Sequence, residues 1–129
     1  MERKSKFREF ETSSGKKVFA GKNAENNEEL VKQVGENEDI FHSAKPGSPF
    51  VNIKSSKTTE KDRKEAAIFC AVKSQDWRDN KKDVEVHWFK GKEIYKRKGM
   101  SLGTFGVKKF KLIKIKKKEI EDFLEIKNE

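Results

Sequence analysis

Apolar residues recur along the chain with a period of two in some segments and with a helical period in others. The segment Asp83–Phe89 alternates, and its valines share one face of the predicted strand with Trp88. In Val107–Ile115 the apolar residues change from one face of the predicted strand to the other near Leu112, which predicts a bulge or burial on both faces there. Similar patterns bounded by turn residues predict further strands at Phe7–Glu11, Lys16–Ala20, Asp39–Ser43, Phe50–Lys54 and Glu93–Lys98.

The first helix is predicted between Asn23 and Gly35. The Asn23 side chain can cap the free amides of the first turn, and Gly35 ends the apolar spacing. Asn27 lies on the apolar face of this helix. We expect its amide to hydrogen-bond the neighbouring loop backbone, because a buried amide must be satisfied.

The second helix is predicted to begin after Thr59, which forms a capping-box pattern with Asp62. Residues Ala66–Val72 are apolar on nearly all sides, which predicts a buried helix packed on the sheet. We expect this helix to end around Asp76, with a turn at Asp79–Asn80.

These elements predict one α+β domain, built mainly from an antiparallel sheet with two or three packed helices and a C-terminal helix. Residues 1–6 are expected to form a basic flexible tail. Residues 7–118 are expected to form the domain. Residues 119–129 are expected to form a helix that packs on the domain or on a partner.

Positive charge is concentrated towards the end of the chain. The formal net charge is +9, and residues 84–118 carry twelve lysine or arginine residues and two glutamates. Because strands hold side chains at a fixed spacing, we expect this charge on a surface that binds a polyanion, most often nucleic acid. The alternative is a lysine-rich surface that only keeps the protein soluble, and the segregation of charge argues against it.

Composition limits the remaining classes. No apolar run approaches about 18 residues, so no membrane span is predicted. The single cysteine, Cys70, excludes an internal disulfide, suits a reducing cytoplasm and is expected to be an inert core thiol. One cysteine and two histidines are too few for a Cys/His zinc site, and no metal or cofactor is predicted.

Candidate binding residues fall into two groups. The turn Ala44–Pro49 can offer backbone amides to a phosphate, and His42 stands at its entrance. Tyr95 is the better candidate for stacking on a base, since Trp88 shares a face with core valines. The predicted nucleic-acid-binding residues, which include a basic ribbon at 90–98, are Lys22, Asn23, His42, Lys45, Ser48, Lys90, Lys92, Tyr95, Lys96, Arg97, Lys98, Lys108 and Lys109.

Several short motifs occur in the order found in a known family. Gly21-Lys22-Asn23-Ala24, followed by Asn27-Glu28, resembles the opening motif of the NFACT-R domain of the NFACT proteins of ribosome-associated quality control. Further segments of this chain resemble the family in the same order, namely Thr12–Gly15, Asp39–His42, Pro46–Ser48, Val84–Trp88 and Lys96–Gly99. The family has a histidine after Pro-Gly-Ser, where this chain has Pro49.

The resemblance implies an α+β RNA-binding module. Its expected partners are tRNA or ribosomal RNA, with the ribosome as a further candidate and no membrane. Larger family members also carry an N-terminal lobe and a coiled coil, and this chain has neither, so we expect an isolated module. The resemblance leaves open whether the protein works with a separate larger factor.

The leading prediction is therefore a non-enzymatic, cytoplasmic RNA-binding module in translation or ribosome-associated quality control. A nucleic-acid-processing enzyme would need a general base and a nucleophile or metal, for which His42, His87 and Cys70 are the main candidates beyond carboxylates. A protein-interaction adaptor would use the acidic segment Glu25–Asp39 and the C-terminal helix. DNA stays open as a ligand, since phosphate contacts do not distinguish it from RNA.

Overall fold

The structure of the protein is a computed structural model that describes residues 6–128, with side chains as far as residue 125. Its helices are α1 Ala24–Lys32, α2 Glu60–Val72, α3 Gln75–Asn80 and α4 Lys117–Asn128. None of the helices in this range is both long and apolar enough to cross a membrane. Its strands are β1 Arg8–Glu11, β2 Lys17–Ala20, β3 Asp39–Ser43, β4 Val51–Ile53, β5 Val84–Lys90, β6 Ile94–Tyr95, β7 Gly106–Val107 and β8 Lys111–Ile115.

Six strands form one antiparallel sheet in the order β1-β2-β4-β3-β5-β8, and β6 pairs with β7 in a separate ribbon. The predicted α+β domain and the predicted β1–β2 hairpin are thereby confirmed. In the pairing of β3 with β5, His42 lies directly opposite His87. The two histidines therefore share one face of the sheet.

One face of the sheet packs against α2. Ala66, Ala67 and Cys70 of this helix belong to the same buried cluster as Phe41 of β3 and Val86 of β5. We call this group the first apolar cluster. Burial of apolar side chains in such a cluster is the main favourable contribution to the free energy of folding.

The opposite face is also covered, by α1 and by the β6–β7 ribbon. Leu30 of α1 is buried with Ile40, Phe50 and Phe89 in what we call the second apolar cluster. Burial on both faces explains why the first strand lacks strict alternation. Phe7 packs against the second apolar cluster, whereas Phe10 packs against the first.

The end of the second helix was predicted wrongly. Helix α2 ends at Val72 rather than around Asp76, and α3 occupies the predicted turn at Asp79–Asn80. Ser74 is the physical reason, because its hydroxyl accepts from the Trp77 amide and so caps a new helix. Trp77 is buried in the first apolar cluster, which holds α3 against the domain.

The predicted strand Val107–Ile115 is two strands. Strand β7 pairs with β6, and β8 pairs with β5 after a break at residues 108–110. Leu112 is 53% exposed at the sheet edge, so the predicted bulge or two-sided burial there was wrong. The buried face of β8 is the one that carries Ile115, which lies in the first apolar cluster.

The two ends of the chain are described in part. Residues 1–5 of the predicted tail lie outside the described residues, and the Lys6 carbonyl accepts from the Asn26 side chain. In α4, Ile120 is buried in the first apolar cluster, with Phe123 and Leu124 packed against it. The apolar side of α4 therefore lies on the domain.

The turn between β1 and β2 is fastened to α2 by side-chain hydrogen bonds. The Ser13 amide and hydroxyl donate to Glu65, and the Ser14 hydroxyl donates to Asp62. Asp62 also accepts from the Thr59 amide, which completes the predicted capping box. Burial alone would raise the pKa of Asp62, but these hydrogen bonds outweigh burial and lower the pKa to about 2.

We expect Asp62→Asn to lower the free energy of unfolding by about 1–3 kcal/mol near pH 7, because a buried carboxylate that accepts several hydrogen bonds is lost. The native pKa lies below the ordinary value of 3.8, so this stabilisation is present above about pH 4 and is lost as the pH falls towards about 2. Urea denaturation near pH 7 and near pH 2 measures the difference in the free energy of unfolding between wild type and variant. Glu60→Gln, an exposed change in the same first turn, is the control. A difference between wild type and variant that persists unchanged near pH 2 would contradict the argument.

Candidate functional site

A cavity of about 680 Å³ opens where the start of α1, the turn Pro46–Ser48 and the loop before β7 meet. His42 and His87 line it from the central strands of the sheet. We call this cavity the basic cleft, because every charged side chain that lines it is an arginine or a lysine: Arg8, Lys22, Lys45, Lys73 and Arg78.

The start of α1 forms one wall of the basic cleft. Asn23 caps the helix, since its side chain accepts from the Asn26 amide. Asn27 accepts from the Phe50 amide, as predicted, and a Cβ at Gly21 would lie 1.8 Å from the Asn27 amide oxygen. Because residue 21 is a glycine, its backbone can lie close to the Asn27 side chain, which holds the backbone at Phe50. The positive end of the helix dipole of α1 points towards the cleft.

The turn Pro46–Ser48 forms a second wall. Gly47 has φ +89°, and a Cβ there would lie 2.8 Å from the Gln75 Cβ, so the turn fits tightly against α3. The Gly47 carbonyl accepts from the Gln75 amide. Ser48 lines the cleft, but its hydroxyl accepts from the Ser43 amide and donates to the Pro49 carbonyl. Its hydroxyl therefore shapes the turn.

His42 projects from β3 into the cleft region. Its Nδ1 donates to the Ser43 carbonyl over 2.8 Å, because a carbonyl oxygen can only accept, and its ring packs on Phe50. Burial lowers the pKa of His42 and the nearby His87 adds to this effect, against the opposing hydrogen bond to Ser43. His42 is therefore neutral near pH 7, with Nε2 as its acceptor.

The cations of the basic cleft are largely uncompensated. Lys45 pairs with Asp76 over 3.5 Å. Over the part of the chain that the structure describes, the other four cations form no ion pair. Several positive charges around a concave surface create a positive potential that attracts anions.

Five predicted binding residues line the basic cleft, although three separate segments of the chain supply them: Lys22, Asn23, His42, Lys45 and Ser48. The other eight lie outside it. The structure thus separates the predicted turn group from the predicted basic ribbon.

Lys96 of the predicted ribbon lies at the surface, but its ammonium is engaged by other groups of the protein. Its ammonium donates to the Glu28 carboxylate and to the carbonyls of Ser101 and Thr104, and lies 4.7 Å from the ring centroid of Phe105. Glu28 also accepts from the Gly103 amide. The hydrogen bond from Lys96 is the main cause that lowers the pKa of Glu28. This lysine therefore fastens the glycine loop to α1.

Tyr95 and Arg97 pack against each other. The Arg97 guanidinium lies 4.9 Å from the Tyr95 ring centroid. A Cβ at Gly106 would lie 2.1 Å from the Tyr95 ring, so the ring covers that glycine across the β6–β7 pair. The side chain predicted to stack on a base is therefore already covered on part of its surface.

The fully buried carboxylate of Asp39 engages Lys90 and Trp88. Lys90 pairs with it over 2.9 Å, and the Trp88 indole donates to it over 2.7 Å. The Thr58 hydroxyl donates to its other oxygen. Trp88 thus packs with the core, as expected from the valines that share its face.

The remaining predicted cations are exposed. Lys92 and Lys98 line neither cavity described here. Lys108 and Lys109 line a second cavity of about 640 Å³, which we call the lysine hollow. Its other lining residues are Trp88, Phe89, Lys90, Glu93, Phe110 and Lys111.

Sequence reasoning missed three cations of the basic cleft: Arg8, Lys73 and Arg78. Lys73 and Arg78 flank the junction of α2 and α3, and the cap at Ser74 was the signal that could have placed them. For Arg8 the signal was the predicted β1–β2 hairpin, which places it opposite Ala20 and next to Gly21 of the cleft. Among residues 6–128 no three His, Cys, Asp or Glu side chains come together in a way that could hold a metal ion.

Comparison with known proteins identifies the family. The family described as NFACT protein RNA binding domain matches residues 6–109, so the chain belongs to this family and the resemblance seen in its motifs is confirmed. The archaeal Rqc2 homolog aRqcH of Methanocaldococcus jannaschii is 33% identical over 82 residues, which cover 61% of this chain and 12% of that protein. The chain thus spans a small part of this relative.

A solved structure shares the fold. The C-terminal part of the fibronectin/fibrinogen-binding protein from Streptococcus suis superposes with a TM-score of 0.79. The match covers 94% of this chain and 50% of that one, at 20% identity. At this identity the likeness concerns the fold alone.

We expect the free energy of unfolding to fall as the pH is lowered from about 7 to about 5, because burial keeps the native pKa of His42 below its ordinary value of 6.5. In this window the unfolded chain binds more protons than the folded one. His42→Asn, which keeps a donor for the Ser43 carbonyl, should flatten the pH dependence measured by urea denaturation. The pKa of the less buried His87 is lowered in the same direction, so His87→Asn is the comparison variant. An unchanged pH dependence in His42→Asn would refute the assignment.

Lys96→Met should loosen the glycine loop, because the carboxylate of Glu28 and two carbonyls lose a charged donor. We expect amide hydrogen exchange at Ser101–Thr104 to rise by about tenfold, the effect of losing one charge-assisted hydrogen bond. Lys98→Met, at an exposed lysine of the same ribbon, is the matched control. Equal exchange in the two variants would rule out a fastening role for Lys96.

Proposed function

We propose that the protein is a non-enzymatic RNA-binding module that holds the phosphate backbone of a structured RNA, such as tRNA or ribosomal RNA, in the basic cleft. The observation that carries this proposal is that all five charged side chains lining the cleft are cations. Family membership supports RNA as the polyanion. Backbone amides at the start of α1 and around Gly47 add donors of the kind that meet phosphates.

The lysines outside the cleft extend the electrostatic surface. Lys92, Lys98, Lys108 and Lys109 are exposed and can neutralise further phosphates of an RNA longer than the cleft. Lys96 stabilises the loop and is assigned no phosphate. His42, which is neutral near pH 7, is assigned no phosphate, because its Nε2 could donate only after protonation and burial lowers the pKa of the ring.

The cellular role proposed here is on the ribosome, in the cytoplasm, as a part of ribosome-associated quality control. The archaeal Rqc2 homolog supports this role, although the chain covers 12% of that protein. Co-sedimentation of the tagged protein with large ribosomal subunits, at low and high salt, tests it.

The other function classes gain less support. The packing of α4 on the domain removes the exposed apolar helix that an adaptor would use. A nucleophilic role for Cys70 is disfavoured, because burial raises its pKa to about 12. Bound RNA is therefore expected to be recovered intact, and RNA shortened by the wild type but not by a His42→Asn, His87→Asn variant would overturn the non-enzymatic assignment.

The double variant Lys22→Ala, Lys45→Ala removes one exposed cation from each wall of the cleft. Its affinity for tRNA should fall by about thirtyfold near 0.1 M monovalent salt, and the slope of log affinity against log salt should fall by about 1.5 to 2. Fluorescence anisotropy over a salt series measures both quantities, with duplex DNA as a second ligand.

The matched control is Lys57→Ala, Lys61→Ala, which removes two exposed lysines that line neither cavity. It should leave the affinity and the slope close to the wild-type values. Equal losses in the two double variants would show that binding depends on net charge alone, and the cleft would lose its assigned role.

A further inference from the structure

Phe110 is an exposed aromatic side chain next to the basic cleft. It follows β7 on the way to the edge strand β8, and it is 50% exposed. Its ring stacks on that of His87, with centroids 3.9 Å apart and planes at 25°. His87 itself lines the cleft. Leu112, opposite His87 in the strand register, is also exposed, so the two residues form an apolar step beside the cleft.

The other candidate aromatics for stacking are already occupied. The Trp88 indole donates to Asp39, and Arg63 and Lys111 lie 5.0 Å and 5.6 Å from its ring centroid. Tyr95 is covered by Gly106 and Arg97. Phe110 instead has one ring face supported by His87 and half of its surface open to solvent.

The charges around the apolar step favour a polyanion as its occupant. Lys108, Lys109 and Lys111 flank Phe110 and form no ion pair within the described part of the chain, while Glu93 is the acidic lining residue of the lysine hollow. A second copy of the chain on the same step would bring these lysines against one another. RNA offers negative phosphates together with flat bases that stack on an aromatic ring.

We propose that Phe110, supported by His87, is a stacking platform for an unpaired nucleobase of the RNA strand whose phosphates occupy the basic cleft. This inference rests on the proposed function and adds a binding site to it. Stacking tolerates any base, so the platform selects for an unpaired nucleotide rather than for a sequence.

The test uses a single-stranded oligoribonucleotide of about eight nucleotides that carries 2-aminopurine, whose fluorescence falls when it stacks. Wild-type protein should quench the probe. Phe110→Ala should bind about tenfold more weakly without quenching, while its salt slope stays unchanged because no phosphate contact is lost. Phe110→Trp should retain affinity and quenching. Phe110→Leu keeps apolar bulk and should lose the quenching, and it carries the test if the alanine variant unfolds at lower temperature.

Leu102→Ala, at another exposed apolar side chain, is the control and should behave as wild type. If Phe110→Ala equals wild type in affinity and quenching while wild type shows a steep salt slope, the platform is wrong and the proposed function stands. If wild type binds neither this oligonucleotide nor tRNA, the proposed function itself fails. If Phe110→Ala instead changes the oligomeric state in sedimentation and leaves RNA binding intact, the step is a contact between copies and the platform is refuted.

Discussion

Burial on both faces of β3 and β5 fixes the position of the side chains in the basic cleft. Phe41 and Val86 enter the first apolar cluster, whereas Ile40 and Phe89 enter the second. A slip of one residue would carry every side chain of a strand to the opposite face. The same pairing therefore places His42 opposite His87 and directs both towards the cleft.

The positive charge of the chain serves two different purposes. Some lysines stabilise the fold, as Lys96 does with Glu28, Lys90 with Asp39 and Lys54 with Glu38. Others, such as Lys22 and Lys73 in the basic cleft and Lys92 and Lys98 on the exposed ribbon, have no carboxylate partner within the described residues. Net charge alone does not separate these groups, because the separation depends on which carboxylates the fold brings within reach.

Much of the fold could be predicted because it depends on local signals. The caps at Asn23 and Thr59, the alternation of β5 and the apolar run of α2 all lie within a few residues of the elements that they define. The split of the last predicted strand could not be predicted, because β7 and β8 differ in the strands that they pair with. The cleft was predicted in part, from its turn and its histidine. Arg8 reaches it through the register of the β1–β2 hairpin, which places it opposite Ala20 and next to Gly21 of the cleft.

The single cysteine can report on transient opening of the hydrophobic core. Cys70 is fully buried in α2, within the first apolar cluster, and burial raises its pKa to about 12. A thiol in this state does not react with alkylating reagents, because the thiolate is the nucleophile and the reagent has no access. Modification of Cys70 therefore requires the core to open, so the alkylation rate measures how often the core opens. This measurement is possible even when other proteins are present. For the same reason, a cysteine introduced on the surface can carry a label without competition from the natural one.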